Sequence, residues 1–342
     1  MATGVPPLYG ISCAAIAGFL ASVLGDSKIR VTAPNVVFVA VASSIVAREG
    51  IFALSLSTML AGVLLVFFGA IGLGAGVRML PRPVIVGFLT GIAVLVVSQQ
   101  VPTLLGIGSH IVADPVPREG LALARYPVQI EPRAIILAIA TLILIMACRI
   151  ASRNVPAGLI AVTMGALLVK FGHFPVRTIE SLFGSDLRSF PFHPGFRVDH
   201  IGSILAQGFA IAVLVAVESY QAMGLAADLT GERFNSNGEL FVQGSANIAS
   251  AFAGGPPASG VSSYTFDNAR LGAQTPIAGI LKAVFLVVFL LLMAPLLQFI
   301  PLPVISAIIL SSRLQHDELA GSTPVAQGFS HFTHCLGSAD SQ

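Results

Sequence analysis

The chain alternates between long apolar runs and short polar breaks. Apolar stretches cover residues 8–24, 29–46, 51–73, 83–105, 133–150, 156–171, 201–227 and 276–299. Most approach the roughly 20 residues that a helix needs to cross a hydrocarbon core. Three shorter runs, 240–252, 258–270 and 302–310, are too brief to cross alone. Residues 106–132 and 172–200 are polar and predict two long connections. Pro34 interrupts the second run near its start, so that helix is expected to begin close to Asn35. The pattern predicts an all-α integral membrane protein whose surroundings are a lipid bilayer.

Two segments break the pattern in the same way. One is Val31-Thr32-Ala33-Pro34-Asn35. The other, residues 254–263, reads Gly-Gly-Pro-Pro-Ala-Ser-Gly-Val-Ser-Ser. Each places Pro or Gly and small polar residues just before a helix. Transporters built from inverted repeats put such broken helices at the membrane midplane. A helix start offers unpaired N–H groups and the positive end of the dipole. Two such starts facing one another make an anion site without a buried Lys or Arg. The starts of 35–46 and 258–270 are therefore expected to lie close together.

Glu218 stands inside the run 201–227, followed by Ser219, Tyr220 and Gln221. An acidic residue at the centre of a span costs roughly 3 kcal/mol on insertion scales, and such residues face a protein interior or a wet cavity. Gln221 is expected to hydrogen-bond to a neighbouring helix. Asp228 and Glu239 are expected at the membrane surface, capping or pairing locally.

Composition supports the membrane assignment. Of 342 residues, 55% are hydrophobic and 10% charged, and the mean hydropathy is +0.88. A soluble domain carries about 25% charged residues. A formal charge of +2 gives no basis for a nucleic-acid partner. Cys13, Cys148 and Cys335 show neither metal nor disulfide spacing, and the seven His residues lie in loops, beside spans or near the C-terminal end. No metal or cofactor is expected. Neither an HExxH spacing nor a nucleophile elbow is present, which argues against an enzyme. Lys28, Arg30, Arg78, Arg82, Arg149, Arg153, Arg233 and Arg270 fall in alternate connections, which places those connections in the cytoplasm. The expected location is the plasma (inner) membrane.

Many short motifs then occur in one order. They are Glu218-Ser219, Ala227-Asp228-Leu229-Thr230-Gly231, Asn235-Ser236-Asn237-Gly238-Glu239-Leu240, Gln243-Gly244, Asn247-Ile248, Gly254-Gly255, Gly260, Asn268 and residues 272–279 (Gly-Ala-Gln-Thr-Pro-Ile-Ala-Gly). Near the start stand Gly4-Val5-Pro6-Pro7-Leu8-Tyr9-Gly10, and later Pro81-Arg82-Pro83-Val84-Ile85-Val86-Gly87-Phe88. This series resembles the sulfate permease (SulP) family of anion transporters over about residues 4–310. The resemblance implies fourteen spans in two inverted seven-span repeats, divided into a core and a gate domain. It also implies a first span, two last spans and a cytoplasmic STAS domain, which are expected to be missing here. Residues 1–310 are thus expected to form an incomplete transporter domain, and residues 311–342 an unrelated, disordered polar tail.

The resemblance further implies an anion held at Pro34 and Asn35 and at Ser259, Gly260, Val261, Ser262 and Tyr264. Glu218 and Ser219 would take the coupling ion. Most relatives carry Arg where Tyr264 stands and often Thr where Asn35 stands. The implied function is secondary active transport of a sulfate-like inorganic anion or small carboxylate, with a proton as coupling ion. Sodium is the alternative; Ala222, one turn beyond Glu218, offers it no hydroxyl. A passive channel, an exchanger and a non-functional fragment remain alternative readings. A homodimer is the expected assembly.

Overall fold

The computed structural model describes residues 3–77, 100–106, 131–151, 157–172, 174–183, 201–231 and 233–321, with residues 87, 91, 94, 98 and 155 as isolated positions. Most of the expected span 83–105, most of the two long polar connections and the residues after 321 lie outside them.

Helix α1 spans Pro7–Leu24. Its first residue is Pro, whose fixed φ suits a helix start and whose missing N–H would have had no helical partner. The chain then extends into a short strand, β1 (Thr32–Pro34), tightens into a 3-10 turn over Val36–Phe38, and enters α2 (Val39–Ala70). Gly50 breaks α2 with φ 87° and ψ 174°. Only glycine holds that conformation cheaply, so the apolar runs 29–46 and 51–73 are two helices meeting at one residue. There follow α3 (Gly74–Val77), α4 (Pro132–Ala151), α5 (Ala157–Gly172), α6 (Ile179–Phe183), α7 (Ile201–Thr230) and α8 (Ser236–Phe252). Asn235 caps α8 by accepting the Asn237 N–H at 3.0 Å. A second strand, β2 (Ala258–Gly260), leads into the nine-residue α9 (Ser262–Arg270), then α10 (Ile277–Leu297) and α11 (Leu302–Gly321).

α11 runs to Gly321, ten residues or so past the point where the apolar run stops. Residues 311–321 contain Arg, Leu, Gln, Glu and Ala and no Pro, so nothing in their propensity ends the helix.

Contacts divide the chain into two compact units. One contains α1–α3, α6–α10 and both strands. Its helices approach closely through small residues. A Cβ added to Gly62 would lie 2.7 Å from the Gly244 carbonyl, and one on Gly244 would lie 2.6 Å from that of Gly62. α2 and α8 thus touch backbone to backbone, the contact that membrane helices build from small side chains. Cys13, Ala17, Ala246 and Ala258 form a fully buried cluster around β2. The other unit packs α4, α5 and α11 about Leu137, Ile145, Ala157, Ala161 and Val304. On α4, Ile136, Ile139, Ile143, Met146 and Ile150 are all more than half exposed. Their three-and-four spacing makes one apolar stripe, which water would penalise and lipid tails accept.

β1 and β2 pair antiparallel, with Thr32 opposite Gly260, Ala33 opposite Ser259 and Pro34 opposite Ala258. Two strands alone are marginal in water, and in lipid every backbone polar group needs a partner. Side chains supply those partners. Asn247 donates to the Ala258 carbonyl at 2.8 Å and accepts its N–H at 2.9 Å. Thr265 Oγ1 accepts the Val31 N–H at 3.2 Å, and Asn268 donates to the Ile29 carbonyl at 2.8 Å.

Candidate functional site

The strand pair brings the two broken onsets together. Pro34 and Gly260 are separated by roughly 8 Å, given about 3.3 Å of rise per residue and about 5 Å between paired Cα atoms. Because the pairing is antiparallel, the helices that follow leave in opposite directions. Their N-termini therefore look back toward the same short ribbon. No side chain caps either start: Val261 has no group to do so, and Asn35 turns its amide elsewhere.

That amide meets Glu218. Asn35 Nδ2 donates to Glu218 Oε2 at 2.6 Å. The next residue on α7, Ser219, accepts the Gly260 N–H on its hydroxyl at 3.0 Å. Two adjacent side chains thus hold one onset each. Glu218 is 5% exposed and Ser219 fully buried. Gly260 lies hard against α7: an added Cβ would stand 3.0 Å from Ala222 Cβ and 3.2 Å from Ser219 Cα. Ala222 therefore serves this close approach.

The remaining expected residues differ in setting. Ser259 is fully buried, and its hydroxyl has no hydrogen-bond partner among the described residues. Val261 is buried, Pro34, Asn35 and Ser262 partly so, and Tyr264 is half exposed. Gln221 was expected to bond across helices, but its Nε2 is buried without a partner among the described residues.

Several buried polar groups escaped the sequence reading. Glu239 is not at the surface pairing locally: it is 5% exposed and forms an ion pair with Arg30, far away in the chain and itself buried. Arg30 also donates to the Ala21 carbonyl at 2.6 Å. Gln243 donates to Glu239 at 2.8 Å and to Thr32 Oγ1 at 2.9 Å. The network therefore ends on β1. Glu239, Gln243 and Asn247 recur every four residues, which puts them on one face of α8; that spacing was the available signal. Lys282 on α10 was also missed. Its ammonium donates to the Thr32 carbonyl at 3.3 Å and sits 5.5 Å from the centre of the Tyr264 ring. Farther along α7, Gln207 donates to Glu49 at 2.8 Å and accepts from Ser57 at 3.0 Å. A cavity of about 140 Å³ is lined by Asp26, Met223, Asn235 and Glu239 among others.

Residues 1–320 match the sulfate permease family. The chain belongs to that family. A putative sulfate transporter of Bacillus subtilis, YvdB, is 31% identical over 314 residues, which are 91% of this chain and 59% of that protein. The bicarbonate transporter BicA of Synechocystis is 30% identical over 315 residues, 87% of this chain and 54% of its own. The chain thus spans somewhat over half the length of these relatives. Among solved structures, the transmembrane domain of a cyanobacterial bicarbonate transporter BicA superimposes with a TM-score of 0.80 at 24% identity, covering 94% of this chain and 86% of that one. SLC26A9 gives 0.73 at 15% identity, covering 91% and 56%. These likenesses establish the fold, an inverted-repeat membrane fold, and the family establishes a multi-pass protein of the plasma membrane. Sulfate permeases are transporters rather than enzymes.

Proposed function

We propose that this sulfate permease domain carries out secondary active transport of an inorganic anion or small carboxylate, with Glu218 as the proton-coupling group. The observation that carries the reading is the neighbouring pair Glu218 and Ser219, one bonded to Asn35 and the other to Gly260. An anion at the two uncapped helix starts interacts with N–H groups and dipoles. It also meets the carboxylate that positions Asn35. Two negative charges about 10 Å apart repel by roughly 1.7 kcal/mol at an effective dielectric of about 20. A proton on Glu218 removes that repulsion, so proton and anion occupancy favour one another. Movement of one bundle against another around the loaded site completes alternating access. A proton is preferred to sodium because Ala222, which packs against Gly260, brings no oxygen to Glu218.

The test is uptake into vesicles reconstituted with the full chain, with pH and sodium gradients imposed separately. Glu218→Gln keeps an oxygen for Asn35 and fixes the side chain neutral. The expected result is uptake that no longer follows the pH gradient, while anion exchange at equal pH persists. A Glu218→Gln protein that still follows the pH gradient overturns the coupling role. Ser262→Leu should separately abolish anion binding in a folded protein, because the bulky side chain blocks approach to the α9 N–H groups.

A further inference from the structure

We infer that Lys282 supplies a positive charge to this anion site and sets its preference between singly and doubly charged anions. The inference rests on the proposed anion reading. Lys282 lies in the second turn of α10, a helix otherwise apolar through its first sixteen residues. A basic side chain in such a helix is costly unless it has a partner or a function. Its partners here are neutral. The ammonium donates to the Thr32 carbonyl at 3.3 Å and rests over the Tyr264 ring, 5.5 Å from its centre. Among the described residues no carboxylate pairs with it, whereas the buried Arg30 beside β1 is neutralised by Glu239.

The two contacts fix where the charge lies. Thr32 belongs to β1, two residues before Pro34, and Tyr264 is the third residue of α9. Lys282 thus bridges the strand that leads into one half-helix and the first turn of the other. Its charge adds to the positive ends of both dipoles, at the place where an anion would approach. A carbonyl and an aromatic face leave the charge uncompensated. An ammonium carries three donors, and the hydrogen bond to Thr32 uses one.

A merely structural role would be to satisfy the Thr32 carbonyl at the ribbon edge. The two roles separate by anion charge. At about 10 Å and an effective dielectric of about 20, a unit charge changes affinity on the order of tenfold per unit of anion charge. Equilibrium binding of radiolabelled chloride and sulfate to the purified full chain reads this directly. Lys282→Met keeps the stem and removes the charge. It should lose on the order of tenfold for chloride and a hundredfold for sulfate, shifting the sulfate-to-chloride ratio about tenfold. Lys282→Arg keeps the charge and should leave that ratio within about twofold of wild type. Equal losses for both anions in Lys282→Met, or a ratio shifted in Lys282→Arg as far as in Lys282→Met, overturn the assignment. Should the Met variant not fold, Lys282→Gln replaces it with the same expectation, and the Arg variant still decides. Wild-type protein that binds neither of these anions, nor bicarbonate nor a dicarboxylate in the same assay, sinks the anion reading and this assignment together; wild-type binding that Lys282→Met leaves unchanged sinks this assignment alone.

Discussion

The two strands of the central ribbon are near mirror images in chain logic, yet they are held by different chemistry. β2 is fixed by neutral groups: Asn247 grips both polar atoms of Ala258, and Ser219 accepts the N–H of Gly260. β1 and its onset are tied to charged ones. Lys282 reaches the Thr32 carbonyl, Glu218 accepts from Asn35, and the Arg30–Glu239 pair connects to Thr32 through Gln243. Neutral hydrogen bonds respond more weakly to a proton or an anion nearby than charged ones do. In the proposed site the second half-helix would then be the fixed wall, and the first the place where a change of charge is felt. A near-symmetric ribbon thus has charged partners on one strand and neutral ones on the other.

The largest expected effect tests the charged side. Glu239→Ala leaves Arg30 buried without its counter-ion and should destabilise by about 3–5 kcal/mol. Thermal unfolding of the detergent-solubilised protein would register this, and Arg30→Met combined with Glu239→Leu should recover most of the loss. On the neutral side, Asn247→Ala strips partners from one buried N–H and one buried carbonyl, at about 1–3 kcal/mol each. Its melting temperature should fall, while any anion uptake that survives keeps its pH dependence. Altered pH dependence in that variant would break the division between the strands. The smallest effect belongs to Ser219→Ala, which frees one N–H and should cost about 1–2 kcal/mol. Hydrogen exchange at Gly260 should accelerate there more than at Ala258; equal acceleration would mean that the strand opens as a whole.

Much of this was legible in residues taken one by one. Pro34 and the Gly-Pro cluster before Ala258 announced two broken helices, and Glu218 announced itself by its apolar surroundings. The polar face of α8 was less visible because the helix is short and its apolar content modest. Glu239 falls in the first turn of α8, where an acidic residue ordinarily caps or faces solvent. Lys282 was lost in the most apolar run of the chain, where the average conceals a single charge.

The sequence by itself determined membrane residence, the number and place of most described helices, the two interrupted onsets and the acidic residue between them. Those follow from local quantities: run length against bilayer thickness, and the conformational limits of Pro and Gly. Tertiary structure alone decided the pairing. Thr32 meets Gly260, Arg30 meets Glu239 and Lys282 meets Thr32 across more than two hundred residues of sequence. Burial in a bilayer forces each polar group to find a partner, but it does not say which one. That choice depends on how closely the helices approach, and small residues such as Gly62, Gly244 and Gly260 set that distance in three dimensions.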